Sequence, residues 1–235
     1  QTPNPKPQTP NPKPQMKTSS FNLLENPDLL NSVKYFLEMQ QNNSSGIEFG
    51  YWGVKGLGGF NRLVAKHLGV QLNEYNPASA DEWFGQRRNS SGLEFPNLPY
   101  LKHGSLALTE HSAINSYLCN YSGNSQFLGL GIINQSRVQM VLAVLDDVWQ
   151  EFFKTVVHAD YKNEMQKNLD ANSKISQKLK SLSQLLGNNN FLIGDTFSIV
   201  DIKTAYFVDF IGWLSFSAGV ASPFDTYKNL KDLQV

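Results

Sequence analysis

The sequence has one cysteine, no net charge and no long apolar run, and each shortage excludes a class of protein. Cys119 alone cannot build an intrachain disulfide framework, and it argues against a zinc–cysteine cluster. The 20 Lys and Arg residues balance the 20 Asp and Glu residues, so no basic field exists to hold a nucleic acid or an anionic membrane. The apolar runs are far shorter than the roughly 20 residues of a membrane-spanning helix. We therefore expect a protein that binds a small ligand, without a metal, a nucleic acid or a membrane span.

The same shortages bear on the compartment. A lone cysteine suits a reducing environment, and the chain contains no charged start followed by an apolar signal-peptide core. We therefore expect a cytoplasmic protein. A chain that begins at Gln1 rather than at Met is also consistent with a processed product of an organelle.

Residues 1–46 differ in composition from the rest of the chain and are defined as an extension. Residues 1–14 are the sequence QTPNPKP written twice, and their prolines predict an extended polyproline chain that has no core. Asn26, Pro27 and Asp28 then provide the N-cap, first-turn proline and first-turn acid of a helix start. The apolar residues behind them predict an amphipathic helix, and they are Leu29, Leu30, Val33, Phe36 and Leu37.

Residues 47–127 are predicted to form a thioredoxin-like module. A strand, a helix with one apolar face and a second, alternating strand come first and make a β-α-β unit. Two prolines then delay the next strand until Tyr100, and a hairpin and a helix follow. The predicted strands cover 47–52, 70–75, the residues from Tyr100 and 106–108, and the predicted helices cover 57–68 and 110–120.

Residues 128–235 are predicted to be entirely helical. From Asn134 onward apolar residues recur at helical spacing, without a strand pattern. A third helix begins at Ser198, because Asp201 completes a capping box. The two apolar stripes before it are Val138, Val141, Leu142, Leu145, Val148, Trp149, Phe152 and Val156, and then Leu169, Ile175, Leu179, Leu182 and Leu186. The predicted fold class is therefore α/β plus all-α, a thioredoxin-like module followed by a helical one.

This order of modules and several short motifs resemble the mu class of glutathione S-transferases, from Ile47 to the end of the chain. The resemblance implies a transferase of glutathione metabolism and detoxification, which uses glutathione as a substrate and needs no metal. The specific motifs are Gly50-Tyr51-Trp52, Lys55-Gly56-Leu57, Arg62-Leu63 and Leu93-Glu94-Phe95-Pro96-Asn97-Leu98-Pro99-Tyr100-Leu101. Weaker matches are Arg137-Val138, Asp147, the capping box near Asp201 and Asn229-Leu230-Lys231-Asp232.

Tyr51 stands where the family has its catalytic tyrosine. Conjugation needs the thiolate of glutathione, and a free thiol has a pKa of about 8.5. A hydroxyl that donates to the sulfur favours the charged form, and lowering that pKa by roughly two units requires about 2.7 kcal/mol, within reach of one well-directed donor. The alternative is that Tyr51 merely packs at the end of a strand.

The resemblance also implies a set of glutathione-binding residues. Leu98-Pro99 matches the family's cis proline, where the backbone of the preceding residue pairs with the cysteinyl part of glutathione. Glu110 takes the ammonium group, and the helix start behind it holds the γ-glutamyl carboxylate. Trp83 and Arg87 match the residues that contact the glycyl carboxylate, with Arg88 as an alternative. The full set is Trp52, Trp83, Arg87, Asn97, Leu98, Pro99, Glu110, His111 and Asp147.

Two further matches imply a two-fold homodimer. Asp147 aligns with the acidic residue that the family contributes to the glutathione of the other subunit, although a lone Asp on a helix is usually solvated. Phe95 matches the aromatic side chain that enters the partner's helices. The alternative for Phe95 is an ordinary core aromatic.

Several departures from the family leave other functions open. His111 replaces a serine, the position of a family arginine falls on Ala80, and Val157 replaces a second active-site tyrosine. The loop between Tyr75 and Trp83 is shorter than in the family. A non-catalytic subunit of a larger protein assembly, attached through the N-terminal extension, is therefore one alternative. Glutathione-dependent isomerase or peroxidase chemistry is another.

Overall fold

The structure, a computed structural model, describes residues 46–233 of the chain. The proline-rich repeat and the helix predicted after Asn26 lie outside the described residues and stay predictions. Among the described residues, no helix is long and apolar enough to cross a membrane.

The strands are β1 (Ile47–Gly50), β2 (Leu72–Tyr75), β3 (Tyr100–His103) and β4 (Leu106–Thr109). The helices are α1 (Gly56–His67), α2 (His111–Tyr121), α3 (Gly131–Val156), α4 (Tyr161–Asn168), α5 (Lys174–Leu186), α6 (Ile199–Ala218) and α7 (Lys228–Lys231). Shorter helical turns cover Glu82–Arg87, Arg88–Ser90, Ser125–Leu128 and Pro223–Asp225.

The four strands form one mixed sheet in the order β2-β1-β3-β4. β1 pairs in parallel with β2 and antiparallel with β3, and β3 and β4 form the hairpin. Phe49 on β1 is opposite Leu101 on β3, and both side chains are fully buried. α1 and α2 pack together and bury Val64 and Ile114. The predicted thioredoxin-like order is therefore confirmed.

The helices from α3 onward build a second core, as the apolar stripes predict. The buried positions of α3 recur every three or four residues, which puts them on one face of the helix. α6 is buried on most sides and begins at Ser198 with the predicted capping box, in which Asp201 accepts from the Ser198 amide at 2.8 Å. The buried side chains of α3 are Val138, Val141, Leu145, Val148, Trp149, Phe152 and Thr155.

Some predicted boundaries were wrong by a few residues. β1 ends at Gly50 rather than at Trp52, and β2 begins at Leu72 because Gly69, with φ of +69°, still turns the chain after α1. The sequence pattern also missed α4. Leu169 was assigned to the stripe of the following helix, but it caps the end of α4, and Ser173 starts α5 by accepting from the Ser176 amide at 3.0 Å.

Candidate functional site

Tyr51 follows β1 and lies against the first turn of α1. Its side chain is 7% exposed, and its hydroxyl oxygen accepts a hydrogen bond from the amide of Leu57 at 3.0 Å. The close approach requires glycine at two positions. A Cβ atom on Gly56, which has φ of +41°, would lie 2.4 Å from the Tyr51 hydroxyl, and one on Gly58 would lie 2.2 Å from the ring. The motif around Tyr51 therefore fixes the place of the hydroxyl.

The electrostatics of Tyr51 keep its hydroxyl protonated. Burial raises the pKa of Tyr51 above its ordinary value, and hydrogen bonds from the amides of Leu57 and Gly58 and the charge of Arg62 offset only part of the rise. The Leu57 amide occupies an acceptor position of the oxygen, while the hydroxyl hydrogen is free to point elsewhere. Tyr51 is thus a hydrogen-bond donor at neutral pH rather than a base.

Arg62 holds the loop that follows Tyr51. Its guanidinium donates to the carbonyl oxygens of Trp52 at 3.3 Å and Val54 at 3.1 Å, and it pairs with Glu74 at 2.7 Å. Its Cζ also lies 5.8 Å from the centre of the Tyr51 ring. Arg62 belongs to one of the sequence motifs, but the motif does not indicate this role.

A cavity of about 700 Å³ opens beside Tyr51, between the two modules. Tyr51, Trp52 and Leu98 contribute to its wall from the thioredoxin-like module. The helical module contributes four aromatic side chains from α3 and α6, namely Trp149, Phe153, Phe210 and Trp213. The cavity therefore combines one phenolic hydroxyl with a mainly aromatic surface, which suits an apolar ligand.

Leu98-Pro99 has the cis peptide bond that the resemblance implies, directly before β3. Leu98 is 8% exposed and reaches the cavity wall, whereas Asn97 is solvent-exposed. The structure thus brings Tyr51, Trp52 and Leu98 to one cavity.

Glu110 and His111 are at the start of α2, but they face different surroundings. Glu110 is exposed and has φ of +67°, in the left-handed region that is uncommon for a residue with a side chain. The His111 ring donates from Nε2 towards Asp146 at 3.1 Å, and its Nδ1 is buried without a hydrogen-bond partner among the described residues. The His111 ring is therefore engaged by Asp146 through Nε2 and buried at Nδ1, which leaves the backbone of His111 at the helix start.

Trp83 and Arg87 lie beside the sheet and do not line the aromatic cavity. Trp83 is 1% exposed and stacks on Tyr100 with ring centres 5.9 Å apart. The Arg87 guanidinium lies 4.2 Å from the centre of the Tyr75 ring and 3.7 Å from a carboxylate oxygen of Glu48. The hydroxyl of Tyr100 donates to the same carboxylate oxygen at 2.6 Å.

Asp146 and Asp147 point to different neighbours. The exposed Asp147 pairs with Lys178 of α5. Asp146 instead accepts from Lys203 of α6 at 2.5 Å as well as from His111. Burial alone would raise the pKa of Asp146, but hydrogen bonds and charge from His111 and Lys203 lower it below its usual value. A lysine within an otherwise apolar helix, Lys203 of α6, is the feature of the sequence that points to such a buried pair.

The positions that depart from the family lie away from the cavity. Val157 is 65% exposed just after α3, and it is Val156 that reaches the cavity wall. Ala80 is exposed where the chain becomes helical after β2. Arg88 donates to the carbonyl oxygen of Pro96 at 3.1 Å. No group of three His, Cys, Asp or Glu side chains that could hold a metal ion occurs within residues 46–233.

Comparison with known proteins gives consistent results. Residues 146–234 match a family model described as glutathione S-transferase, C-terminal domain. The class-mu 26 kDa isozyme 7 of Fasciola hepatica is 30% identical over 72% of this chain and 75% of that protein. Glutathione S-transferase Mu 1 of Rattus norvegicus is 26% identical over 78% of this chain and 82% of that protein. Among solved structures, the glutathione S-transferase Blo t 8 has a TM-score of 0.66 and 23% identity over 79% of this chain and 84% of that chain. The monomeric Na-GST-3 of Necator americanus has a TM-score of 0.66 and 18% identity over 80% of this chain and 89% of that chain, so these two structures share the fold.

Proposed function

Because the chain belongs to the glutathione S-transferase family, whose members are enzymes, we propose that it conjugates the thiolate of glutathione to a small electrophile. Its relatives in that family include mu-class enzymes. The observation that carries the proposal is the Tyr51 hydroxyl, which accepts from the Leu57 amide at 3.0 Å and borders an aromatic cavity. The reaction forms a bond between sulfur and an electrophilic carbon. With an aryl halide, halide ion leaves.

In this proposal Tyr51 stabilises the thiolate by donating its hydroxyl hydrogen to the sulfur. The raised pKa of Tyr51, which burial causes, keeps that hydrogen in place at neutral pH. A hydrogen bond to the charged form lowers the pKa of the bound thiol. A thiol near pKa 8.5 is mostly protonated at neutral pH, and its thiolate is the nucleophile, so even a modest shift raises the reactive fraction.

Glutathione is proposed to lie along the residues just before β3, at Leu98. The backbone of Leu98, before the cis bond to Pro99, pairs with the cysteinyl part, and Asn97 helps to hold the peptide. The exposed carboxylate of Glu110 takes the ammonium group. The free amides at the start of α2 take the γ-glutamyl carboxylate, with the backbone of His111 as one donor.

The glycyl end is proposed to reach Trp83 and Arg87. The side chain of Arg87 is 42% exposed, so its guanidinium remains accessible to a carboxylate. A second copy of the chain contributes its Asp147, which is exposed on α3, to the γ-glutamyl ammonium. The proposed enzyme is accordingly a homodimer, in which Phe95 enters the partner's helices.

The electrophile is proposed to bind in the aromatic cavity. Trp149 and Phe210 supply flat apolar surfaces there, and Trp213, which is 57% exposed, forms part of the rim. Such a surface favours aryl electrophiles over charged ones because burying an unpaired charge is costly. The proposed role is therefore detoxification of apolar electrophiles, in the cytoplasm.

We also propose that residues 47–127 and residues 128–235 form the two modules of the protein. Residues 1–46 are proposed to be an attachment element for a larger assembly.

Calorimetric titration of glutathione into the purified protein tests the proposal. We expect saturable heat, and we expect Glu110→Gln to weaken binding because the ammonium group loses a charged partner. Glu94→Gln, which changes an exposed glutamate of a loop, is the matched control and should bind like the unaltered protein. No heat at millimolar glutathione, from a folded sample, would refute the proposal.

A further inference from the structure

Tyr206 of α6 reaches the first turn of α1 from the helical module. It is 8% exposed, and its hydroxyl donates to the carbonyl oxygen of Gly56 at 2.6 Å. That carbonyl and the amide of Leu57 belong to the same peptide unit. The Leu57 amide in turn donates to the Tyr51 hydroxyl oxygen at 3.0 Å. A continuous chain of hydrogen bonds therefore runs from Tyr206, through one peptide unit, to Tyr51.

Hydrogen bonds in such a chain strengthen one another. When a carbonyl oxygen accepts a hydrogen bond, the peptide unit is polarised and its N–H becomes a better donor. Tyr206 can act in this way over the whole physiological pH range, because burial and the nearby Tyr51 raise its pKa and keep its hydroxyl protonated. Removing the Tyr206 hydroxyl would weaken the bond that reaches the Tyr51 oxygen.

The position of Tyr206 is closely determined by its neighbours. A Cβ atom on Gly59 would lie 2.5 Å from the Tyr206 hydroxyl oxygen, so α1 needs glycine there for the approach. The Tyr206 ring also packs against Phe60 and Phe207, with ring centres 6.2 Å away in each case. The hydroxyl is therefore held at the Gly56 carbonyl.

Tyr206 does not line the aromatic cavity beside Tyr51. It borders a separate cavity of about 770 Å³, which it shares with Arg62 and Asp209. The hydrogen-bonded route from Tyr206 to Tyr51 runs through the peptide unit of Gly56 and Leu57, and Tyr206 itself does not touch the cavity where the electrophile is proposed to bind.

We propose that Tyr206 is a positioning residue, which polarises the Gly56–Leu57 peptide unit so that the Leu57 amide orients Tyr51 and strengthens it as a donor to the thiolate. This inference rests on the proposed function. It assigns to the helical module a part in thiolate stabilisation.

The first test uses Tyr206→Phe without glutathione. We expect the amide proton of Leu57 to shift upfield in the NMR spectrum, because its hydrogen bond weakens, and the pKa of Tyr51 to rise. The matched control is Tyr227→Phe, which removes a hydroxyl that donates to the carbonyl oxygen of Ser176 at 3.3 Å within the helical module. The control should leave the Leu57 signal and the Tyr51 titration unchanged.

The second test follows conjugation of an aryl halide against pH. In Tyr206→Phe the apparent pKa of the bound thiol should rise and kcat at neutral pH should fall by about threefold to tenfold, the effect of half to one pKa unit. KM for glutathione should stay nearly constant. Gly59→Ala should give the same pattern, because its methyl group displaces the Tyr206 hydroxyl, and it replaces Tyr206→Phe if that variant does not fold.

The outcomes separate the inference from the proposed function. An unchanged Leu57 amide and an unchanged pKa of Tyr51 in both variants would overturn the inference, even if the unaltered protein conjugates glutathione. A fall in kcat that leaves the pH profile unmoved would overturn it as well. Absence of conjugation by the unaltered protein would refute the proposed function and the catalytic role of Tyr206 with it, whatever the Leu57 amide does.

Discussion

The ammonium group of Lys203 lies 2.5 Å from a carboxylate oxygen of Asp146, although the side chain of Lys203 is only 1% exposed. The same oxygen accepts from Nε2 of His111 at 3.1 Å. Lys203 also lies over the Phe60 ring, 5.4 Å from its centre. One carboxylate thus connects α6, α3 and the start of α2, where the γ-glutamyl end of glutathione is proposed to bind.

Removing one charge of the Lys203–Asp146 pair should lower the free energy of unfolding far more than removing both charges. Asp146→Asn leaves Lys203 buried without a counter-ion, so we expect a loss of about 3–5 kcal/mol in the free energy of unfolding. The double variant Asp146→Asn with Lys203→Met should recover most of that loss, since no buried charge remains. Urea unfolding measures the free energy of unfolding of both variants. Equal midpoints for the unaltered protein and Asp146→Asn would contradict the role given to the pair.

The Lys203–Asp146 pair should also make the stability of the protein depend on pH in the acid range. The pKa of Asp146 lies below its ordinary value of 3.8 in the folded protein, so the folded state binds this proton more weakly than the unfolded state does. The resulting stabilisation is fully present above the ordinary value and is lost as the pH falls through the folded-state pKa. We expect the unfolding free energy of the unaltered protein to fall relative to that of the double variant as the pH drops below about 4. A free-energy difference that stays constant down to the pH of acid unfolding would argue against this role of Asp146.

Gly58→Ala should damage the site directly. Its Cβ would lie 2.2 Å from the Tyr51 ring, so Tyr51 must move, and we expect a loss of about 1–3 kcal/mol of stability together with weaker thiolate formation. Gly212→Ala in α6 is the control, because nothing lies within 4 Å of its added Cβ. Alanine favours a helix over glycine by up to about 1 kcal/mol, so the control should unfold at the same or a higher temperature.

Local sequence patterns predicted most of the fold because they act over one helix turn or one strand. The three- and four-residue recurrence of Val138, Val141 and Leu145 gave α3, and the capping box at Ser198 gave the start of α6. The whole of α4 was missed, because Met165 is its one buried side chain and gives no apolar stripe, so Leu169 was assigned to the stripe of the following helix. Periodicity alone does not show that the backbone turns between the two helices.

The candidate site was predictable only in part. The Tyr51 motif and Leu98-Pro99 came from short motifs, and the structure puts both at one cavity. The partner of His111 was not predictable, because Asp146 comes from a distant helix and meets it only in the folded chain. Tyr206 was missed for the same reason. Its hydroxyl meets a backbone carbonyl, which no side-chain pattern in the sequence marks.

Phe95→Ser should convert the proposed dimer to a monomer. Phe95 is 74% exposed within its own chain, which agrees with a side chain that packs on a partner. Sedimentation velocity at micromolar concentration measures the change, and Phe216→Ser, at an 86% exposed position near the end of α6, is the control. A monomer in the unaltered protein would contradict the proposed homodimer.

The most direct test of the central claim is the rate at which the purified protein conjugates glutathione to an aryl halide, compared with its Tyr51→Phe variant. The variant keeps the buried ring and loses only the hydroxyl, so the fold and glutathione binding should persist. If Tyr51 stabilises the thiolate, the unaltered protein shows saturable turnover and the variant loses about 10²-fold in kcat at neutral pH, the usual effect of removing one catalytic donor. Equal kcat values in the two proteins would contradict the account.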